Sequence, residues 1–189
     1  MDYRVVFNGN LNRASANALR SRVAEALEQP DLDRLTVVLS SEGGSTREGL
    51  ALYHFLRVLP HPVEVHAAGH VGSAAVPVFL GGRRRTCAPV SRFFFHAFRW
   101  SFGEGSQSLD QIDEASQRVV HDTRLAREIA ERHTKIPPEE LDALYGRQAR
   151  PVIVDPDKAI EWGLADQIVE LNPEGAEQSD VRLWTVSWS

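Results

Sequence analysis

The chain has 189 residues and a formal net charge of −5 at neutral pH. This length suits one α/β domain with a full core and is too short for two ordinary domains. The charge gives no reason to expect a nucleic acid partner, and no apolar run is long enough to span a membrane. The first residues enter a strand-like run, so no signal peptide is expected. The single cysteine, Cys87, fits a reducing cytoplasm.

Apolar patterning predicts strands and helices that alternate along the chain. Amphipathic helices show apolar residues at every third or fourth position, and buried strands show short unbroken apolar runs. In the first half of the chain we predict a strand at 4–8, a helix with the apolar stripe 19–27, a strand at 35–40, a helix capped by Ser45 and Glu48, and a strand at 63–68. A short helix at 73–80 and a strand at 93–96 follow. The rest of the chain is predicted to hold a long helix at 109–132 capped by Ser108 and Gln111, a helix after Pro137, a strand at 152–154 and a helical turn from Asp155 to Gly163. This alternation predicts an α/β fold with right-handed crossovers.

The composition changes near the end of the chain. Residues 1–171 are predicted to form one domain, and 172–189 a C-terminal extension. Within the extension, 172–180 is polar and indicates a linker, whereas 182–188 alternates as an edge strand would. Inside the domain, the run Arg83-Arg84-Arg85 predicts a solvated turn.

Two strand-to-helix turns carry the residues of greatest chemical interest. Gly43-Gly44 follows one buried strand, and Gly72-Ser73 follows the next. In an open parallel sheet, such turns meet at the carboxyl ends of neighbouring strands, where ligands bind. Glycine turns expose backbone N–H groups that can stabilise an oxyanion, and Ser73 would present an exposed hydroxyl. A third strand ends at His96, so a nucleophile, a base and oxyanion donors could converge.

Each of these elements also has a purely structural interpretation. A Gly-Gly pair is most often just a turn, and a serine before a helix is most often its N-cap. A histidine at a strand end is more often a satisfied polar residue than a catalyst. From the residues alone, a hydrolase and a structural arrangement are about equally supported.

Five segments, in order and with similar gaps, resemble the proteolytic subunit of Clp protease. Leu39-Ser40-Ser41-Glu42-Gly43-Gly44-Ser45 resembles the family's I-N-S-P-G-G-S, and Gly69-His70-Val71-Gly72-Ser73-Ala74-Ala75 resembles its G-x-A-A-S-M-G nucleophile turn. Phe94-Phe95-His96 is similar to V-M-I-H, and the stretch from Ala159 to Asp166 is similar to A-x-E-Y-G-L-V-D. Val5-Val6-Phe7-Asn8-Gly9 resembles the first core strand of the family.

This resemblance implies a fold and a chemistry. The fold is the α/β superhelix of β-β-α units shared with crotonases, with a protruding handle at about 98–133. The activity is that of a serine endopeptidase, a hydrolase that cuts unfolded polypeptide by acyl transfer to Ser73 with His96 as base. The oxyanion hole would use backbone amides at Gly43, Gly44 and Ala74.

The resemblance also implies an assembly. Family members form homo-oligomers, seven-membered rings or double rings, in the cytoplasm. An AAA+ unfoldase feeds them and uses ATP, so the subunit itself needs no metal or cofactor. This chain starts at the first strand, without the N-terminal axial segment that helps to dock the unfoldase, so docking is an open question.

The sequence departs from the family at the acid of the triad. Counting forward from His133 puts Gln148 at that position, and counting back from Gly163 puts Pro151 there; neither is a carboxylate. Asp155 is the nearest acid and the candidate third member, although Asp155-Pro156 also predicts a helix N-cap. Glu42 replaces the proline before Gly-Gly and is expected to point to solvent.

Three alternatives to an active peptidase stay open. A catalytically weak or inactive subunit that mainly assembles with partners would explain the missing acid. A crotonase-like acyl-CoA enzyme also uses two backbone amides as an oxyanion hole. A Ser-Lys peptidase would need a lysine base, and only Lys135 and Lys158 exist, neither at the expected place.

Overall fold

The computed structural model describes residues 1–102, 105–146 and 149–171, and the backbone of 181–188. The predicted linker at 172–180 and Gln148 lie outside the described residues. Within the described part of the chain, no helix is both long enough and apolar enough to cross a membrane.

Eight strands and six helices make up the described part of the chain. The strands are β1 (Asp2–Gly9), β2 (Arg34–Ser41), β3 (Val63–Gly72), β4 (Arg84–Cys87), β5 (Arg92–Phe95), β6 (Val152–Val154), β7 (Gln167–Ile168) and β8 (Val181–Trp188). The helices are α1 (Arg13–Leu27), α2 (Thr46–Val58), α3 (Ala75–Leu80), α4 (Leu109–His133), α5 (Pro138–Tyr145) and α6 (Pro156–Glu161). The predicted N-caps are confirmed, because Ser45 accepts from the Glu48 amide and Ser108 forms a reciprocal capping box with Gln111.

The strands form one sheet in the order β6-β5-β3-β2-β1-β8, with β4 paired to the first part of β3 and β7 paired to β4. All pairings among the described strands are parallel except the one between β5 and β6. β8 lies at the edge, parallel to β1. The α/β fold predicted from the sequence is confirmed.

The core lies on one face of the sheet. Val5, Val37 and Val65 face one another across the register of β1, β2 and β3, and all three are fully buried. Residues on the other face, such as Arg4 and Glu64, keep part of their surface exposed. Parallel pairing requires a crossover between successive strands, and α1 and α2 supply these crossovers. The carboxyl ends of β2, β3 and β5 therefore lie side by side.

Most buried residues of helix α4 lie near its carboxyl end, although Ala115 in its first half is also buried and Asp122 accepts a hydrogen bond from Thr46. Ala126, Ile129 and Ala130 are buried near the carboxyl end, whereas Leu109 and Val120 are 84% and 63% exposed. The first half of the helix therefore keeps large apolar side chains exposed, and the handle at about 98–133 stays a prediction from the resemblance.

One sequence prediction is wrong. The arginine run was expected to form a solvated turn, but Arg84–Cys87 is strand β4. The Arg85 side chain is only 13% exposed and donates to the carbonyl oxygens of His133 and Gly163, while its guanidinium lies 3.5 Å from Asp166. Arg85 thus ties β4 to the end of α4 and to the turn after α6.

Candidate active site

Ser73 occupies a strained turn at the end of β3. Its φ of 52° makes it the one non-glycine residue with positive φ among the described residues. Such a conformation costs about 1–3 kcal/mol and persists only where the surroundings enforce it. Here the Ser73 amide donates to the carbonyl oxygen of Phe94 at 2.8 Å, which holds the turn against β5.

The Ser73 hydroxyl is not a helix cap. The N-cap position of α3 is Ala74, and no side chain caps this helix. Among the described residues, the hydroxyl makes no hydrogen bond within the protein, and the residue is partly exposed. The structural interpretation of Ser73 therefore has no support in the observed geometry.

The Gly43-Gly44 turn packs directly against the Ser73 turn. Gly43 and Gly44 have φ of 101° and 132°, a region that side-chain-bearing residues rarely adopt. A Cβ placed on Gly43 would lie 2.7 Å from the Gly72 carbonyl oxygen, 2.8 Å from Ser73 Cβ and 3.0 Å from the Ala74 nitrogen. A register shift between Leu39 and Ser41 in β2 accompanies this approach.

The backbone amides of the two turns are not equivalent. The Gly43 N–H donates to the hydroxyl oxygen of Ser41 at 3.1 Å. Within the described part of the chain, no protein group accepts from the N–H of Gly44 or of Ala74. Of the three predicted oxyanion donors, Gly44 and Ala74 are available and Gly43 is engaged.

His96 follows the last residue of β5 and is partly exposed. Its Nδ1 lies 2.8 Å from the carbonyl oxygen of Ala97. Because a carbonyl oxygen can only accept, this hydrogen bond requires the proton on Nδ1 and leaves the Nε2 lone pair free. No hydrogen bond joins Nε2 to the Ser73 hydroxyl among the described residues; such bonds commonly tighten only when substrate binds.

The strand register shows which residue faces His96 from β6. β5 and β6 pair antiparallel, with Phe93 opposite Val154 and Phe95 opposite Val152. Continued by one residue, this register places Pro151 opposite His96. The position predicted for the acid by counting back from Gly163 therefore faces the histidine and holds a proline.

Asp155 lies at the other end of β6 and has a different role. Its carboxylate accepts from the Lys158 amide at 2.8 Å and caps α6. It follows Val154, which pairs with Phe93 at the start of β5, whereas His96 follows the other end of that strand. The structure does not bring Asp155 to His96, so the candidate third member of the triad is not supported.

Glu42, expected to point to solvent, has a side chain that is 73% exposed. Its Oε2 lies 3.2 Å from Nε2 of His70, but the two groups are not aligned for a hydrogen bond. The mostly exposed carboxylate thus lies beside the buried Nε2 atom of His70.

A cleft of about 610 Å³ adjoins the glycine turn, and sequence reasoning missed it. It extends from Gly44 along the first turn of α2 to the handle, where Arg99, Trp100, Arg118 and Asp122 line it. These residues come from separate segments, so no local motif marks them. Among the described residues, no group of three His, Cys, Asp or Glu side chains is placed to hold a metal ion.

Comparison with known proteins identifies the family. Residues 1–172 match the sequence profile of the Clp protease family, so the chain belongs to that family. It is 24% identical over 183 residues to the ATP-dependent Clp protease proteolytic subunit 1 of Rhodopirellula baltica, covering 95% of this chain and 78% of that protein. It is 27% identical to the proteolytic subunit 1 of Corynebacterium diphtheriae, covering 88% of this chain and 79% of that protein.

A solved structure supports the fold. A mutant of ClpP1 from Listeria monocytogenes superposes with a TM-score of 0.76, covering 92% of this chain and 94% of that one, at 19% identity. The ClpP/crotonase-like architecture predicted from the sequence is thereby confirmed. The family is one of peptidases, and its resemblance to this chain extends through the whole domain.

Proposed function

We propose that this protein is a serine endopeptidase of the Clp proteolytic-subunit type, which cleaves unfolded polypeptide by acyl transfer to Ser73. The observation that carries the proposal is the strained Ser73 turn pressed against Gly43, with an uncommitted hydroxyl. A structural serine would cap its helix, and this one does not.

The proposed chemistry uses three groups. His96 Nε2 takes the proton of the Ser73 hydroxyl as the oxygen attacks the scissile carbonyl carbon. The N–H groups of Gly44 and Ala74 receive the negative oxygen of the tetrahedral intermediate. His96 then gives the proton to the departing amine, and a water molecule, activated by the same imidazole, hydrolyses the acyl-enzyme.

The orientation of His96 in this proposal comes from a backbone carbonyl instead of a carboxylate. The Ala97 carbonyl oxygen fixes the same tautomer that an acid would fix. It carries only a partial negative charge, so it stabilises the imidazolium less than a carboxylate does. We therefore propose a slow enzyme.

A second candidate function has a specific observation in its favour. Because no carboxylate of the described residues bonds to His96, the chain could serve mainly as an assembly subunit with little turnover.

Assembly itself is part of both proposals. Exposed apolar side chains outside the cleft concentrate on the predicted handle, including Leu109, Ile112 and Val120, and suit a homo-oligomer of rings. A partner unfoldase would be the only user of ATP.

Labelling of Ser73 tests the proposal. Native protein is treated with a fluorophosphonate probe, and the modified residue is mapped by mass spectrometry. We expect a single adduct on Ser73, lost in Ser73→Ala and strongly slowed in His96→Ala, whereas Ser101→Ala, from the neighbouring cleft, labels normally.

Turnover of an unfolded casein substrate separates the two candidates. Labelling together with measurable, Ser73-dependent turnover supports the peptidase. Labelling without turnover supports the assembly subunit, and no labelling of the folded oligomer excludes Ser73 as a working nucleophile.

A further inference from the structure

The cleft beside the glycine turn carries an unusual charge for this chain. The protein is acidic overall, yet three arginines, Arg47, Arg99 and Arg118, line the cleft together with one acid, Asp122. Gly44 belongs both to this cleft and to the proposed oxyanion hole. A peptide held in the cleft would therefore pass the proposed nucleophile.

Of the three cleft arginines, one forms an ion pair with an acidic side chain, and the other two form none with the residues that the structure describes. Arg118 is paired with Glu114 and lies over the Trp100 ring, 5.4 Å from its centre. Arg47 and Arg99 are exposed and form no ion pair with any residue that the structure describes.

Asp122 counters only part of this charge. Its Oδ2 accepts from the Thr46 hydroxyl at 2.6 Å, and its Oδ1 lies 3.7 Å from Nδ1 of His121. These contacts direct the carboxylate to the first turn of α2 and to its own helix. The mouth of the cleft is left with an excess of guanidinium groups, whose several donors suit a carboxylate.

From these contacts we infer that the cleft selects polypeptide segments carrying acidic side chains, with Arg47 and Arg99 as the residues that determine specificity. This inference rests on the proposed function for its link to cleavage, but not for binding. Trp100, 46% exposed, supplies an apolar surface beside the two cations, so an acidic residue next to an aliphatic or aromatic one is the preferred pattern. Screening by salt weakens this preference, because both arginines are exposed.

Binding is tested without turnover, in Ser73→Ala protein. Three rhodamine-labelled peptides of one sequence differ at two positions, which are Glu, Gln or Lys, and their affinities are measured by fluorescence anisotropy. Each exposed charge contact is worth up to about fivefold in affinity, so the Glu peptide is expected to bind about tenfold more tightly than the Gln peptide. The Lys peptide should bind most weakly, and high salt should bring the three together.

Charge variants identify the residues. Arg47→Gln with Arg99→Gln should abolish the Glu preference and leave binding of the Gln peptide within about twofold. Arg22→Gln, which removes an exposed arginine of α1 that pairs with Glu25, is the matched control and should change nothing. Equal binding of Glu and Gln peptides, or equal losses in the control, overturns the inference.

The labelling and binding experiments together distinguish a failure of this inference from a failure of the proposed function. If Ser73 is labelled and the peptides bind without charge preference, only the inference is wrong. If the Glu preference depends on Arg47 and Arg99 but no Ser73 adduct forms, the cleft binds acidic segments in a protein that does not cleave them through Ser73.

Discussion

The Nδ1 atom of His96 donates to the carbonyl oxygen of Ala97, the residue that follows it in the chain, at 2.8 Å. In the proposed mechanism, this contact takes the place of the carboxylate that orients the imidazole in a catalytic triad, and it uses only local backbone. The histidine therefore keeps a defined tautomer although no acid of the described residues reaches it. In the proposed mechanism, it lacks a full negative charge to stabilise the imidazolium that would form during proton transfer.

The first prediction concerns a substitution that adds a negative charge beside His96. Pro151 faces His96 in the continued register of β5 and β6, so Pro151→Asp places a carboxylate beside the imidazole. Loss of the acid costs roughly 10⁴-fold in a well-studied triad, and partial recovery here, of about 10- to 100-fold in kcat/KM for a peptide ester, is expected. Pro151→Asn, which has the same shape without the charge, is the control. Equal rates in the two variants would show that a carboxylate at this position does not reach the histidine.

The second prediction concerns Asp155, which caps α6. Asp155→Asn keeps a capping oxygen and removes the charge, so both stability and the rate of Ser73 labelling should stay near wild type. Asp155→Ala removes the cap and should cost about 1 kcal/mol in the free energy of unfolding, measured in urea, again with little change in labelling. A labelling rate that drops sharply in Asp155→Asn would show that the Asp155 carboxylate contributes to the reactivity of Ser73.

The third prediction concerns the contact between the two turns. Gly43→Ala forces a Cβ into the space between the Gly72 carbonyl oxygen and the Ala74 nitrogen, and also strains φ. Because Ala74 is a proposed oxyanion donor, fluorophosphonate labelling should slow by about 10²-fold. Gly105→Ala separates the two effects, since Gly105 also has positive φ, 119°, but would place its Cβ in open space. If both variants label equally slowly, backbone strain alone explains the loss.

Features that depend on residues close together in the sequence, such as turns, helices and strand ends, are predicted well. Glycines followed by helices mark the two turns, and the ends of apolar runs mark where Ser73 and His96 lie on the sheet. Parallel pairing then brings these strand ends together without further information. For the acid position, the resemblance left Gln148 and Pro151 as alternatives, and it is the register of β5 and β6, continued by one residue, that places Pro151 opposite His96.

Long-range contacts account for what the sequence did not reveal. The sequence predicts the same role, that of oxyanion donor, for Gly43 and Gly44. Only the position of the Ser41 hydroxyl shows that the Gly43 amide is already engaged in a hydrogen bond. The sequence indicates a surface cation at Arg85, yet two of its guanidinium nitrogens donate to carbonyl oxygens distant in sequence and Asp166 lies nearby, which offsets much of the cost of burying the charge. The arginine-lined cleft is assembled from α2, the loop after His96 and α4, whose relative placement no single segment encodes.

The last prediction follows from His66, a buried histidine on β3. Burial, aided by the nearby charge of Arg4, lowers the pKa of His66 from its usual 6.5 to about 4, and its Nδ1 lies 2.8 Å from the hydroxyl oxygen of Thr86. Below pH 6.5 the unfolded chain binds a proton at this imidazole that the folded chain excludes until about pH 4. Stability is therefore unaffected by this group above pH 6.5, and falls as the pH is lowered through that window, by roughly 3 kcal/mol in total.

His133 contributes in the same direction, because burial and four surrounding arginines also lower its pKa to about 4. The free energy of unfolding, measured in urea between pH 8 and pH 4, should therefore fall less steeply in His66→Asn than in wild type, with part of the slope remaining from His133. His121→Asn, at a side chain that is 57% exposed, should follow the wild-type slope. If His66→Asn and wild type run parallel across the window, the folded protein admits the proton at position 66, and the polar face of the sheet is more accessible to water than its packing indicates.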